Sequence, residues 1–319
     1  MSAEAVSVRV RKRRALSGGV VALELAPING APLPAFCAGA HVDVETKAGI
    51  VRQYSLCGDP AEMDCYRLGV LNEAESRGGS RSIHDDLREG DAITISAPKN
   101  HFPLVEHATH SVLVGGGIGI TPLISMAYSL NAAGRSFTLH YCVADEGRAA
   151  FLELLRDTPF VERVYLHCSR SDAAPKFDPE TDIPGWLDGY HLYTCGPAGF
   201  MDWVLAGAEV KGYADKFRHK EDFGADVDLS GESFTVEARR SNVTVEIGAG
   251  QTIAGALADA GLHIYVSCEE GVCGTCLTDV LEGVPDHRDV YLTDEERAGN
   301  NLMLVCCSRA KTAKLVLDL

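Results

Sequence analysis

The sequence predicts three consecutive domains: an antiparallel β-barrel, a doubly wound parallel α/β sheet and a smaller α+β domain of the β-grasp type. Three observations predict this order. Short alternating strands fill the first third, strands then alternate with helices, and two strands, a helix and a cysteine-rich loop follow. A chain of 319 residues is also too long for one typical core. We place the domains at residues 1–105, 106–225 and 226–319.

The barrel prediction depends on β-branched or alternating runs that are separated by Gly, Pro and Asp. Such evenly spaced short strands are typical of antiparallel barrels and sandwiches. The predicted strands lie at residues 6–10, 20–25, 41–44, 52–56, 66–71 and 92–96.

The central domain is predicted from strands that alternate with helices, which indicates a parallel sheet. The predicted strands cover residues 111–114, 137–143, 161–167 and 191–194, and the helices cover 122–133, 149–157 and 200–210. The polar, charged segment 212–231 is predicted to be a linker. Strands at 233–238 and 242–247, a helix at 252–260 and short strands near the end of the chain then outline the β-grasp domain.

The charge and the apolar pattern exclude several function classes. The formal net charge of −16 disfavours binding to nucleic acid or to anionic membranes. It suits docking on a basic protein surface, although many cytosolic enzymes are simply acidic. No apolar run approaches the roughly eighteen residues of a membrane span, and the first residues lack the apolar stretch of a signal peptide. We therefore expect a cytoplasmic location.

A cysteine loop carries the most specific chemistry in the sequence. Cys268, Cys273 and Cys276 form the pattern C-x4-C-x2-C, and Cys306 follows after 29 intervening residues. This is the spacing of plant-type [2Fe–2S] ferredoxins. Zinc also takes four cysteines, but its usual pattern is paired C-x2-C knuckles. Cys307 lies beside Cys306 and is an alternative fourth ligand.

Two further motifs suggest a nucleotide site. The run Gly-Gly-Gly-Ile-Gly-Ile-Thr-Pro follows one strand and opens a helix, where backbone N–H groups can bind phosphate. Tight packing of a strand on a helix would also explain the glycines, and the spacing is not that of ordinary Rossmann dehydrogenases. The second motif, Tyr-Thr-Cys-Gly-Pro, ends another strand, where ligands of open α/β sheets bind. The residues proposed for nucleotide binding are Gly116, Gly117, Ile118, Gly119, Cys195, Gly196 and Pro197.

A predicted strand of the barrel carries Arg52-Gln53-Tyr54-Ser55. Arginine can hold a phosphate, tyrosine can stack on a flat ring and serine can hydrogen-bond a ring heteroatom. Without further context this is an ordinary exposed strand. A second motif is a loop of small residues that contains Arg77, Gly78, Gly79 and Ser80. It resembles a phosphate-binding nest, although an ordinary surface turn would have the same composition.

Five motifs in this order resemble the phthalate dioxygenase reductase and vanillate O-demethylase reductase family, the class IA oxygenase reductases. The motifs are RQYSL, RGGSRS, GGGIGITP, YTCGP and CEEGVCGTC, and the resemblance covers essentially the whole chain. It implies FMN in the barrel, NADH in the α/β domain and a [2Fe–2S] cluster in the β-grasp domain, with the fourth cluster ligand at Cys306. No catalytic acid, base or nucleophile is implied.

By position, the resemblance assigns Arg52, Tyr54 and Ser55 to the flavin, and the loop from Arg77 to Ser80 to the FMN phosphate. It places Thr121 near the flavin and nicotinamide, and Phe223 beside the flavin. Relatives often carry Arg where this chain has Ala144, and the acidic residues that follow would repel a 2′-phosphate, which favours NADH over NADPH. Ser169 and Arg170 follow the next strand and are candidate contacts for the adenosine half.

The resemblance implies a reductase that takes hydride from NADH onto FMN and passes single electrons through the cluster to a terminal oxygenase or demethylase. A Rieske non-haem iron oxygenase is the expected partner, and a haem monooxygenase is the alternative. Glu269 and Glu270 lie in the cluster loop and are expected to steer docking. Two rival classes remain open at this point: a carrier without turnover, and a protein with a structural zinc site.

Overall fold

The computed structural model describes residues 5–73, 78–171, 174–224 and 227–319. Its contacts divide the chain into two compact units, Met1–Asp222 and Phe223–Leu319. The first unit contains an antiparallel and a parallel sheet, and the second contains a mixed sheet. These sheets confirm the three predicted fold types. The division into three domains at residues 105 and 225 stays a prediction. None of the described helices is long and apolar enough to cross a bilayer.

Six strands of the first unit form the antiparallel sheet, in the spatial order β4-β3-β6-β1-β2-β5. The edge strands meet through a bridge between Leu56 and Leu68, which closes the sheet into a barrel. Helix α1 (Gly79–Asp86) lies in the connection between β5 and β6. The strands are β1 (Ala5–Ala15), β2 (Val20–Pro27), β3 (His41–Glu45), β4 (Val51–Ser55), β5 (Tyr66–Leu71) and β6 (Ala92–Ser96).

The barrel forms because its strands alternate between apolar and polar side chains. In β1, Val8 and Val10 are buried while Arg9 and Arg11 are exposed. Alternate side chains of a strand point to opposite faces, so the valines enter the core and the arginines face water. A bulge between Val10 and Lys12 interrupts the pairing with β2.

The second sheet of this unit is parallel, in the order β11-β10-β7-β8-β9. One apolar cluster contains Leu123 of α2, and another contains Val204 of α5. The two clusters include neighbouring residues of β7, Leu113 and Val112, which point to opposite faces, so the sheet is covered on both sides. The elements are β7 (His110–Gly116), α2 (Ile120–Ala132), β8 (Ser136–Val143), α3 (Leu152–Arg156), β9 (Val164–Cys168), α4 (Pro179–Asp182), β10 (Tyr190–Cys195), α5 (Ala198–Val210) and β11 (Arg218–Glu221).

Two predictions for this region were wrong in detail. The predicted linker 212–231 contains β11, which pairs in parallel with β10 and extends the sheet by one strand. A run of Arg-His-Lys-Glu has no apolar alternation, and tertiary pairing overrides its low strand propensity. The strand predicted from residue 161 begins instead with a 3₁₀ turn, Val161–Arg163.

The second unit contains a five-stranded mixed sheet in the order β13-β12-β18-β14-β16. The pairing of β12 with β18 is parallel and the other pairings are antiparallel. Thr252 caps α6 by accepting a hydrogen bond from the backbone N–H of Gly255. The elements are β12 (Phe234–Ala238), β13 (Val243–Ile247), α6 (Ile253–Asp259), β14 (Leu277–Glu282), β15 (Pro285–Asp286), α7 (Asp294–Gly299), β16 (Leu302–Leu304), β17 (Arg309–Ala310) and β18 (Lys314–Leu317).

Candidate functional site

The glycine run and the Tyr-Thr-Cys-Gly-Pro motif lie together at one edge of the parallel sheet. Cys195, at the end of β10, pairs with Gly115 at the end of β7. A Cβ at Gly119 would lie 2.3 Å from the carbonyl oxygen of Cys195 and 2.6 Å from the backbone nitrogen of Gly196. No other residue type fits this approach, because real Cβ atoms do not come so close to backbone atoms. The two motifs therefore form one backbone-lined edge, where ligands of open α/β sheets bind.

Thr121 opens α2 beside this edge and is 2% exposed. Its hydroxyl donates a hydrogen bond to the carbonyl oxygen of Ile118 at 2.9 Å. Its methyl carbon lies 3.1 Å from the position that a Cβ would take at Gly69, in barrel strand β5. Thr121 thus lies between the sheet edge and the barrel, and its predicted place near the flavin and nicotinamide stays a prediction.

Glu221, a half-buried carboxylic acid at the same sheet edge, was missed by our sequence reasoning. It pairs with Cys195 along β10 and β11. Its Oε2 atom is buried and has no hydrogen-bond partner among the described residues. Burial, followed by the nearby Asp222 carboxylate, raises the pKa of Glu221 to about 8. The signal in the sequence is the Glu-Asp-Phe run that ends in Phe223.

Cys195 itself is fully buried. Burial raises the pKa of its thiol well above the ordinary value, and Glu221 and Asp222 add to the effect. The thiol therefore stays protonated and cannot act as a thiolate nucleophile. Its predicted contact with the nicotinamide stays a prediction.

The predicted adenosine contacts lie where β8 and β9 end. The backbone N–H groups of Ser169 and Arg170 donate to the carbonyl oxygens of Val143 and Ala144, at 3.0 and 2.8 Å. The acidic residues that follow β8 form exposed ion pairs, Asp145 with Arg148 at 3.7 Å and Glu146 with Arg156 at 3.3 Å. The acidic residues at the end of β8 therefore face solvent.

The structure brings Arg52 to the start of α1. A Cβ at Gly79 would lie 2.5 Å from Cγ of Arg52, so the arginine stem crosses the first turn of the helix. The residue before the helix, Gly78, has φ of 101°. A helix N-terminus with an arginine beside it fits a phosphate group, because both supply N–H donors and positive potential. Arg77, predicted to belong to this loop, lies outside the described residues.

The four residues of the strand motif separate onto two faces of β4. Arg52 and Tyr54 share one face, and burial raises the pKa of the Tyr54 phenol above its ordinary value. Gln53 and Ser55 share the other, where the Gln53 amide donates to Oδ1 of Asp43 at 3.1 Å. The Gln53 side chain therefore already has a partner within the barrel, and its predicted contact with a cofactor stays a prediction.

In the second unit, the predicted cluster ligands lie together. Cys268, Cys273, Cys276 and Cys306 are between 2 and 6% exposed. The thiols of Cys273 and Cys306 lie close to the Cys268 thiol. Phe223 begins this unit and is 41% exposed, and its predicted place beside the flavin stays a prediction.

The cysteine loop has the backbone that a cluster requires. Three of its residues have positive φ, Glu269 at 61°, Gly271 at 72° and Gly274 at 70°. Backbone N–H groups point at sulfur, from Glu270 to Cys268 and from Thr275 to Cys273, each at 3.4 Å. Such donors stabilise thiolates and cluster sulfur, so the residues fit a [2Fe–2S] group.

The spacing of these cysteines favours a [2Fe–2S] cluster over a structural zinc ion. Cys268, Cys273 and Cys276 follow the C-x4-C-x2-C pattern of plant-type clusters. Structural zinc is usually held by paired C-x2-C knuckles.

Comparison with known proteins agrees with this geometry. Residues 236–311 match the model of the 2Fe-2S iron-sulfur cluster binding domain. The chain is 43% identical to vanillate O-demethylase oxidoreductase of Pseudomonas sp. (strain HR199 / DSM 7063), over 98% of this chain and 100% of that protein. It belongs to the family of vanillate O-demethylase and phthalate dioxygenase reductases.

Solved structures support the same family. Phthalate dioxygenase reductase, described as a modular structure for electron transfer from pyridine nucleotides to [2Fe-2S], superposes with a TM-score of 0.80 at 38% identity, covering 99% of this chain and 98% of that one. An intact type IV self-sufficient cytochrome P450 monooxygenase superposes with a TM-score of 0.82 at 37% identity. The match covers 99% of this chain and 41% of the larger one. This member of the family is therefore an oxidoreductase, and the predicted fold class is confirmed. The individual site residues stay predictions.

Proposed function

We propose that this chain is an NADH-dependent reductase that holds FMN and a [2Fe–2S] cluster and delivers single electrons to an oxygenase. The observation that carries the proposal is that one chain contains a site for each of the three groups. Arg52 at the start of α1 fits the flavin phosphate, the backbone edge at Gly119 and Cys195 fits the nicotinamide, and the buried cysteine loop fits the cluster. When bound, a flavin accepts a hydride from a nicotinamide and gives electrons up singly, and a plant-type cluster carries one electron at a time.

The residues supply position and electrostatics for this chemistry. Arg52 and the N–H groups of α1 hold the phosphate, and the backbone edge at Gly119 and Cys195 receives the nicotinamide. Glu221 is largely protonated near neutral pH because its pKa is about 8, so it adds no full negative charge to the edge. The acidic residues at the end of β8 favour NADH over a phosphorylated dinucleotide.

For the electron acceptor we propose a Rieske non-haem iron oxygenase or demethylase. The relatives named for vanillate O-demethylase and phthalate dioxygenase support an oxygenase partner. A haem monooxygenase is the second candidate, favoured by the structural similarity to the self-sufficient P450. The second unit carries seven Lys and Arg against sixteen Asp and Glu, a net charge of −9, so we expect a basic docking surface on the partner. A cytoplasmic location remains part of the proposal and rests on the sequence.

A comparison of acceptors tests the proposal. The chain is given NADH and either ferricyanide, which takes electrons from reduced flavin, or cytochrome c, a Rieske oxygenase or a P450. We expect Cys306→Ala to keep ferricyanide reduction and to lose reduction of the protein acceptors. Retention of both activities would remove the cluster from the electron path, and loss of both would mean that the substitution also disrupts the flavin site. Faster reduction of the P450 than of the Rieske oxygenase would select the second candidate.

A further inference from the structure

Asp289 is a fully buried carboxylate in the segment between β15 and α7. Its Oδ2 accepts a hydrogen bond from the backbone N–H of Leu292 at 2.9 Å. Its Oδ1 accepts one from the hydroxyl of Ser308 at 3.3 Å. Buried carboxylates are costly unless they are paired and hydrogen-bonded, so the position of this one needs a reason.

The contacts of Asp289 join the two segments that carry the cysteines. On one side, a Cβ at Gly271 would lie 2.8 Å from Cα of Asp289, and the next residue, Val290, donates its N–H to the carbonyl oxygen of Gly271 at 3.1 Å. Gly271 lies inside the C-x4-C loop. On the other side, Ser308 follows Cys306 by two residues. One residue therefore fixes the loop relative to the segment of the fourth ligand.

The charge of Asp289 is only partly balanced. Nη2 of Arg297 lies 3.8 Å from Oδ2, but the Arg297 side chain is 32% exposed whereas Asp289 is 0% exposed. The imidazole of His287 lies 3.6 Å from Oδ1, beyond hydrogen-bond range, and neither ring nitrogen has a partner among the described residues. Because water screens the partly exposed cation more than the buried anion, the field at the cysteine loop is dominated by the carboxylate.

We propose that Asp289 is a positioning residue that ties the cysteine loop to the segment of Cys306 and, through its negative charge, lowers the reduction potential of the cluster. This rests on the proposed function. Reduction adds one electron to the cluster, and a nearby buried anion opposes the added charge. Net charge and hydrogen bonding around a cluster are established determinants of its potential.

The test is a redox titration of the full chain, followed by the electron paramagnetic resonance signal of the reduced cluster. Asp289→Asn keeps the shape and an acceptor oxygen. We expect it to make reduction at least tenfold more favourable, a rise of about 59 mV for one electron. Arg297→Gln removes the cation and should shift the potential in the opposite direction. Asp286→Asn is the matched control, at a half-buried carboxylate three residues earlier in the chain that pairs with Arg288 at 2.8 Å.

Shifts of opposite sign, both larger than that of Asp286→Asn, would support the proposal, since a purely structural disturbance has no reason to follow the sign of the removed charge. Shifts of the same sign, or a shift for Asp289→Asn no larger than the control, would overturn it. If Asp289→Asn fails to retain a cluster, Arg297→Gln decides: a lowered potential supports the proposal, and an unchanged or raised one refutes it. A wild-type chain that holds no cluster would contradict the proposed function itself.

Discussion

The raised pKa of Glu221 predicts a specific dependence of stability on pH. Its pKa is about 8 in the folded chain, against an ordinary value of 4.5. Between these values the folded state keeps a proton that the unfolded state has lost. The stability that Glu221 contributes is therefore fully present below pH 4.5 and is lost as the pH rises through about 8. Each pH unit in this window changes the free energy of unfolding by up to about 1.4 kcal/mol.

Replacing Glu221 by Gln removes the ionisable group and leaves a side chain of similar shape. From pH 5.5 to 7.5 the wild-type chain should lose up to about 3 kcal/mol of stability through this residue, and the Glu221→Gln chain should not. The free energy of unfolding of the variant minus that of the wild type should therefore rise by about that amount. Other titrating groups cancel in the difference.

Urea unfolding followed by tryptophan fluorescence measures this difference for the correct unit, because both tryptophans, Trp186 and Trp203, lie in Met1–Asp222. Glu209→Gln is the matched control at an exposed carboxylate of α5, and its effect should stay within about 0.5 kcal/mol at both pH values. If the free energy of unfolding of Glu221→Gln minus that of the wild type does not change between pH 5.5 and 7.5, the assignment of Glu221 as a protonated acid in the folded chain is refuted.

Three further substitutions test the predicted sites. Arg52→Ala should lower the FMN content of the purified chain, because the phosphate loses a charged donor; flavin fluorescence after denaturation measures the content. Gly119→Ala should raise KM for NADH about tenfold or more in a ferricyanide assay, because the new Cβ would meet backbone atoms at 2.3 Å and force the sheet edge apart. Cys306→Ala should abolish the cluster, measured as iron and sulfide per chain.

Each substitution has a control in the chain. Arg9→Ala removes an exposed arginine of β1 and should leave the flavin content unchanged. Gly185→Ala adds a Cβ with no atom within 4 Å and should leave KM unchanged. Cys307→Ala should keep the iron content of the wild type. If Cys307→Ala loses the cluster and Cys306→Ala keeps it, the ligand assignment is reversed.

The sequence predicted those parts of the structure that local chemistry determines. The barrel strands alternate, as β1 shows with Val8 and Val10, and alternation alone predicts strands. The cysteine loop was identifiable because cluster ligation demands fixed residue types at fixed spacing. The two nucleotide motifs were each predicted from a strand end, and their direct contact through Gly119 follows from the parallel pairing of β7 with β10.

Features that depend on distant residues were missed. Strand β11 is polar throughout, and it exists because β10 offers a free edge. Glu221 is read from the sequence as one more surface acid, since its burial depends on that pairing. Asp289 is hidden in the same way: its place between Gly271 and Ser308 depends on segments that are distant in the sequence.

The measurement that tests the account most directly is an absorption spectrum of the pure chain before and after anaerobic addition of NADH. We predict flavin bands in the blue with a broad iron–sulfur shoulder at longer wavelength, both bleached by NADH. A colourless protein, or a flavin that bleaches without any iron–sulfur absorption in reconstituted material, would contradict the account.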